Sequence, residues 1–218
     1  MCGIYGATNR DQFIALQKLN TNRGDFCESS LLTNKDGYEI HKVPKNAKKD
    51  YKFPKRKKFD YYLGHSQAPT SSKRLFTNET SHPFVVDNWI VAHNGVLTNY
   101  KELINEFQRP YDNPVDSSII PFVLYSMAGY TEDEASQIIN TLEFLKGTFG
   151  LWIHNTNTGN TFIAKCGVTL FADIYENSFS SVKCKSLDPL DEGVLYQITR
   201  EGITGIDTFD CDSPFFTV

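Results

Sequence analysis

Met1-Cys2-Gly3-Ile4-Tyr5-Gly6 opens the chain, and its second residue organises the reading. A methionine aminopeptidase tolerates a small second residue, so Met1 is removable. Cys2 would then carry both a thiol and a free α-amino group. The thiolate is the nucleophilic form, with an unperturbed pKa of about 8.5. An α-amino group has a pKa of about 7.7–8.0, so part of it is a neutral base near pH 7. One residue can thus supply nucleophile and general base. A cysteine here by chance would look the same, so the rest of the chain has to decide.

Four further stretches carry chemistry. They are Leu63-Gly64-His65-Ser66-Gln67-Ala68-Pro69-Thr70, Ser81-His82-Pro83-Phe84, Ala92-His93-Asn94-Gly95-Val96-Leu97-Thr98-Asn99-Tyr100, and Pro114-Val115-Asp116-Ser117-Ser118. Asn-Gly out of context is a hairpin turn signal. Asp116 at the start of an apolar periodic run reads as a helix cap. His65, His82 and His93 are tempting metal ligands. No acidic or His partner recurs at metal spacing, so they read as structural, and neither a metal nor another cofactor is implied.

With the Cys2-Gly3-Ile4 start, the order and spacing of these stretches resemble the glutaminase domain of class II (N-terminal nucleophile) glutamine amidotransferases. Leu145 to Gly150 and Phe179-Ser180-Ser181 also look like landmarks of that family, so the resemblance spans nearly the whole chain. It implies an α+β fold, a four-layer αββα sandwich, over a single glutaminase domain, residues 1–218. It implies hydrolysis of L-glutamine to glutamate and ammonia through a Cys2 thioester. Asn94 and Gly95 fall where the family places its oxyanion donors. Asp116 falls where it pairs with glutamine's ammonium, and His93 lies in the same site. Gln67 and Thr70 fall in the element that grips the α-carboxylate. There the chain departs from the family, because Gln67 stands at the Arg position and offers no charge. Arg74 or Lys73 is then the candidate cation. Cys27 and Glu28 replace small residues after Arg23-Gly24-Asp25-Phe26, and Ser118 stands where Glu is frequent. A related amidohydrolase acting on another amide, and a non-catalytic binding or regulatory subunit, remain alternatives.

Composition sets bounds. The chain has 218 residues, 40% hydrophobic, enough for one domain with a large core. It has no apolar run long enough for a membrane span and no signal-peptide pattern. Five scattered cysteines, an odd number without a C-x-x-C pair, argue against a disulfide framework and for a reduced, cytoplasmic setting. Net charge is −4, yet residues 41–58 hold eight Lys and one Arg against one Asp. The basic stretch 45–58, bounded by Lys45 and Lys58, reads as a solvated loop. Docking of an acidic partner there, or of nucleic acid, is the alternative. The resemblance implies that the ammonia acceptor sits on a separate synthase chain, since 218 residues are filled by the glutaminase.

Hydrophobic periodicity predicts strands at 3–7, 29–33, 38–43, 61–66, 84–92 (broken by an Asp87-Asn88 turn), 148–154, 161–166, 170–174, 178–183 and 194–198. It predicts helices at 11–19, 100–108, 115–127 and 132–145, the last with a Thr131–Glu134 capping box. Strands, then helices, then strands is an α+β order.

Overall fold

Alternation along the strands sorts the side chains into layers. In the computed structural model, which describes residues 2–47, 53–54, 59–68, 76–110, 113–131 and 133–211, β1 (Gly3–Ala7) turns Ile4 to one face and Tyr5 to the other. After α1 (Arg10–Asn20) come β2 (Cys27–Asn34), β3 (Gly37–Pro44) and β4 (Tyr61–Gln67). On β4, Tyr61 and Leu63 share the core of Ile4, whereas Tyr62 joins Tyr5 and the α1 residues Phe13 and Leu16. This is the period-2 pattern of a sheet buried on both faces.

The second half repeats the logic. β5 (Phe84–Val86) and β6 (Trp89–Leu97) precede α2 (Tyr100–Glu106), a 3-10 turn at Asp116–Ile119, α3 (Ile120–Ser126) and α4 (Glu134–Phe144). β7 (Gly147–Asn155), β8 (Thr161–Cys166), β9 (Phe171–Asp173), β10 (Ser178–Ser180), β11 (Asp188–Pro189), β12 (Val194–Ile198) and β13 (Ile203–Thr208) follow. Ile90, Ala92, Trp152 and Ile163 face Ile4 and Leu63, while Val91, Leu151, Ile153 and Phe162 face α3 and α4. Two antiparallel sheets result, ordered β11-β9-β10-β1-β4-β2-β3 and β13-β12-β8-β7-β6-β5. α1 covers the first and the later helices cover the second, giving the αββα order. Each fully buried Ile or Leu in these layers is worth about 1.5–3 kcal/mol. Trp152 sits between the sheets and donates its indole N–H to Gly64 O at 3.0 Å.

Several sequence expectations need correction. The predicted helix 115–127 divides into the 3-10 turn and α3, with Pro121 in the first turn of α3. α4 is capped by Asp133, which accepts from Ser136 N at 2.9 Å, and not by Thr131. Glu134 instead accepts from Thr158 Oγ1 and Asn160 Nδ2. Asp is the stronger cap and lies one position from the helix, so it displaces the box. β13 was absent from the predicted strands, because its residues after Ile203 lie exposed on an edge. The cysteines are not all reduced: Cys166 and Cys211 form a disulfide. They are 45 residues apart, and only the β8-β12-β13 order brings them together. Of the basic stretch, residues 48–52 and 55–58 lie outside the described residues. Lys45 pairs with Asp25 at 2.8 Å. No described helix is long and apolar enough to cross a membrane.

Candidate active site

The lead into β1, the end of β4 and the middle of β6 carry Cys2, Gln67 and the pair His93-Asn94. Cys2 lies just before β1, half-buried and outside the disulfide. Gly3 pairs with Ser66 on β4, which brings the end of β4 alongside Cys2. Ala68 N–H points at Cys2 Sγ at 3.5 Å, and Ala68 O lies 3.9 Å from it. A backbone N–H aimed at sulfur favours the thiolate. Gly24 makes this approach possible. A Cβ there would meet Gln67 C and Ala68 N, inside any real contact distance.

Ser181 ties Asn94 and Arg23 to β1. Its hydroxyl accepts from Ile4 N at 3.0 Å and from Asn94 Nδ2 at 3.3 Å. Its N–H bonds Ile4 O at 2.8 Å. Arg23 donates to Ser181 O at 2.6 Å and to Thr169 Oγ1 at 3.0 Å. Burial lowers the Arg23 pKa, and a negative charge on Cys2 pulls it back up. The guanidinium is therefore within electrostatic reach of the thiol.

Asn94-Gly95 is not a turn. Both residues lie within β6, paired with Gly150 and Phe149 of β7. A Cβ at Gly95 would collide with Thr148 O and come within 2.7 Å of His93 Nε2. The neighbouring Asp87-Asn88, by contrast, does make the β5-β6 turn, with Asp87 at φ 51.

His93 is buried, with Nδ1 2.8 Å from Ser117 Oγ and Nε2 3.2 Å from Thr148 O. A carbonyl accepts only, so Nε2 carries the proton, and Nδ1 shares the single Ser117 hydroxyl proton with Asp116 Oδ1, 3.2 Å from Ser117 Oγ. Burial lowers the His93 pKa against the opposing pull of Asp116 and the Thr148 carbonyl, which favours this neutral form. Asp116 does not cap its own helix: its Oδ2 accepts from Leu97 N at 2.8 Å, fixing the end of β6. The acid is half-exposed and so still open to a second partner.

Gln67 is fully buried, and Nε2 reaches Thr80 O at 3.4 Å. The carbonyl selects the amide nitrogen, which leaves Oε1 facing away with no hydrogen-bond partner. His82, which precedes Pro83 across a cis peptide bond, stacks on His65 at 4.0 Å between ring centroids. His65 Nε2 donates to His93 O at 3.1 Å, which leaves it a structural link between the sheets. Thr70 and Arg74 lie outside the described residues. The sequence reading passed over Arg23, Ala68, Ser117, Thr148 and Ser181. Arg23 and Ser181 were legible as landmarks, but Ala68 and Thr148 act through backbone atoms, which no residue type signals. Among the described residues, Cys166, Glu192 and Cys211 alone have metal-ligand spacing, and two of them are joined as a disulfide.

A larger cavity, about 690 Å³, opens in the helical layer between Phe107, Met127 and Phe144. None of the residues described around Cys2 lines it.

No protein-family model matches the chain. Individual relatives do. The glutamine–fructose-6-phosphate aminotransferase of Aquifex aeolicus is 25% identical over 229 residues, covering 93% of this chain and 37% of that protein. The 7-cyano-7-deazaguanine synthase of Saccharolobus solfataricus is 29% identical over 124 residues, covering 56% of this chain and 26% of that protein. The chain thus spans well under half the length of these curated relatives. Among solved structures, the glutamine phosphoribosylpyrophosphate amidotransferase of B. subtilis superposes with a TM-score of 0.77 at 18% identity, covering 96% of this chain and 49% of that one. That likeness carries the fold, an N-terminal-nucleophile type of sandwich. The sequence matches to amidotransferases extend over nearly the full length, so the chain is similar in sequence and in fold to class II glutamine amidotransferases.

Proposed function

We propose that this chain hydrolyses L-glutamine to glutamate and ammonia. The observation that carries the reading is the Ala68 N–H aimed at Cys2 Sγ, beside a cluster in which Ser181 holds Asn94 to β1. After Met1 is removed, the Cys2 amine takes the thiol proton and the thiolate attacks the side-chain amide carbon. Asn94 Nδ2 and the Gly95 N–H stabilise the oxyanion. The amine returns the proton to the leaving nitrogen, ammonia departs, and a γ-glutamyl thioester remains. Water, deprotonated by the same amine, cleaves it to glutamate and restores the thiol. Asp116 neutralises the substrate's ammonium, and His93, neutral and hydrogen-bonded to Ser117, braces the strand that carries Asn94. Gln67, Thr70 and Arg74 belong to the carboxylate end of the site. The ammonia passes to an acceptor enzyme, which we place on a separate synthase chain.

One observation favours a second reading. The buried Gln67 Oε1 is an acceptor without a donor, which suits a ligand that presents N–H or O–H there instead of a carboxylate. A related amide would then be the substrate.

The test is glutamate release from purified protein, with a parallel screen of other amides. An electrophilic glutamine analogue should add its mass to the Cys2 peptide alone, and Cys2→Ala should abolish turnover in a protein that remains folded. Labelling at Cys27 or Cys184 would defeat the assignment of the nucleophile. Turnover of another amide without glutamine turnover would select the second reading. Inertness toward all amides would leave a binding or regulatory subunit.

A further inference from the structure

We propose that the cavity behind the 78–81 turn is a binding site for a small oxyanion, a carboxylate or phosphate-type group, held between Lys42 and Arg109. The cavity measures about 330 Å³ and is lined by Lys42, Glu79, Phe84, Arg109, Asn113 and Ser118 among others. None of the groups assigned above to glutamine chemistry lines it.

Lys42 is the centre of the argument. It lies in β3, just before the basic stretch, and its side chain reaches the turn. Nζ donates to Asn78 O at 2.6 Å and to Ser81 O at 2.8 Å. An ammonium has three donors, and both described acceptors are neutral carbonyls. Among the described residues no carboxylate forms an ion pair with it. Burial pulls its pKa down to about 8 against the opposing pull of Cys27 and Glu79. A partly desolvated cation in this condition gains by receiving an anion. Arg109 supplies a second cation, positioned by Ser118 Oγ at 2.8 Å and lying over the Phe122 ring. The facing acid, Glu79, is solvent-exposed and turned back to the Thr77 hydroxyl at 2.7 Å. Cys27, the remaining titratable group beside Lys42, is held as a neutral thiol because burial raises its pKa. Among the described lining residues, Lys42 and Arg109 thus face the single carboxylate of Glu79.

The site sits on the back of a loop that the candidate active site uses. Four consecutive carbonyls of this loop are each gripped by a side chain: Asn78 and Ser81 by Lys42, Glu79 by Asn113 at 2.9 Å, and Thr80 by Gln67. An anion that draws the ammonium toward itself weakens the hold on Ser81, next to His82. The oxyanion is thus placed to tune how the loop meets substrate. This coupling rests on the glutaminase reading; the binding does not.

The experiment is calorimetric titration of the whole chain with inorganic sulfate, whose charge is constant between pH 7 and 9, at fixed ionic strength. We expect saturable one-to-one binding that weakens about tenfold from pH 7 to pH 9, as Lys42 loses its proton. Lys42→Arg should retain binding. Lys42→Met and Arg109→Gln should each weaken it about tenfold or more. Phosphate and acetate titrations then separate a phosphate-type ligand from a carboxylate. Absence of saturable binding, or binding unchanged in both Lys42→Met and Arg109→Gln, would overturn the proposal. Should Lys42→Met fail to fold, Arg109→Gln decides alone. If sulfate binds as expected while glutamine turnover is absent, the cavity stands and the glutaminase reading falls.

Discussion

β1 separates two buried polar clusters that use their hydrogen bonds differently. On its outer face, toward α1, the Glu28 carboxylate accepts from Ser66 Oγ at 2.8 Å, Tyr5 OH at 3.1 Å and Thr21 Oγ1 at 3.1 Å. Burial, reinforced by Glu28, raises the Tyr5 pKa and keeps the phenol a donor. On the inner face, Asn94 reaches Ser181 at 3.3 Å, Gln67 reaches Thr80 at 3.4 Å, and Gln67 Oε1 has no partner. The same sheet thus carries a satisfied cluster and an unfinished one. A buried polar network with every valence filled rigidifies a core, whereas open valences wait for a ligand. The outer cluster should therefore govern stability and the inner one activity.

Substitutions can break that division. The largest effect is expected on the inner side. Asn94→Ala should lower kcat by about 10²–10³, the usual result of removing one oxyanion donor, with little change in KM or in Tm. Normal turnover with weakened glutamine affinity would instead make Asn94 a binding residue. On the outer side the pattern should invert. Glu28→Ala leaves the Tyr5 and Ser66 hydroxyls without their acceptor and should lower stability by about 3 kcal/mol in urea unfolding. If the variant folds, its kcat per folded molecule should stay close to the parent's. A large kcat loss at full stability would show that the two faces are one unit.

A third prediction uses a residue remote from both clusters as a reference. Burial pushes the His154 pKa down to about 4, and Nδ1 lies 2.9 Å from Thr161 Oγ1. The unfolded chain takes up its proton first as pH falls below about 6.5. Stability from the neutral imidazole is therefore full above that value and is lost down to about pH 4, by roughly 3 kcal/mol in total. Urea midpoints at pH 7 and pH 5 should differ for the parent and much less for His154→Gln. The smallest effect sharpens the inner face. Gly24→Ala pushes on Gln67 and Ala68 and should lower kcat/KM about tenfold, roughly 1.4 kcal/mol, while Tm falls by only a few degrees. An unchanged kcat/KM would show that the Ala68 N–H does not serve the thiol.

Much of this was readable before any coordinates. Cys2, Asn94 and Asp116 stand out as candidates through residue type together with the resemblance, and strand periodicity located β1, β4, β7 and β8 closely. What escaped was whatever depends on partners distant in the chain. Asn94-Gly95 and Asp87-Asn88 are both turn-prone dipeptides a few residues apart. One lies in mid-strand because β7 pairs across it; the other turns because β5 must reverse there. Lys42 reads in the sequence as one residue of a strand, and nothing local tells which turn its side chain grips.

By itself, then, the sequence determined an α+β order of elements through its short-range period, while the resemblance implied the αββα layers and singled out Cys2 and the substituted Gln67 as site candidates. Only the tertiary structure decided that Asp116 braces Leu97 N instead of capping a helix, that Cys166 meets Cys211, and that Gln67 spends its nitrogen on Thr80. Each of these is a contact between segments far apart in the chain, and no local pattern encodes which distant carbonyl, amide or thiol a side chain will meet.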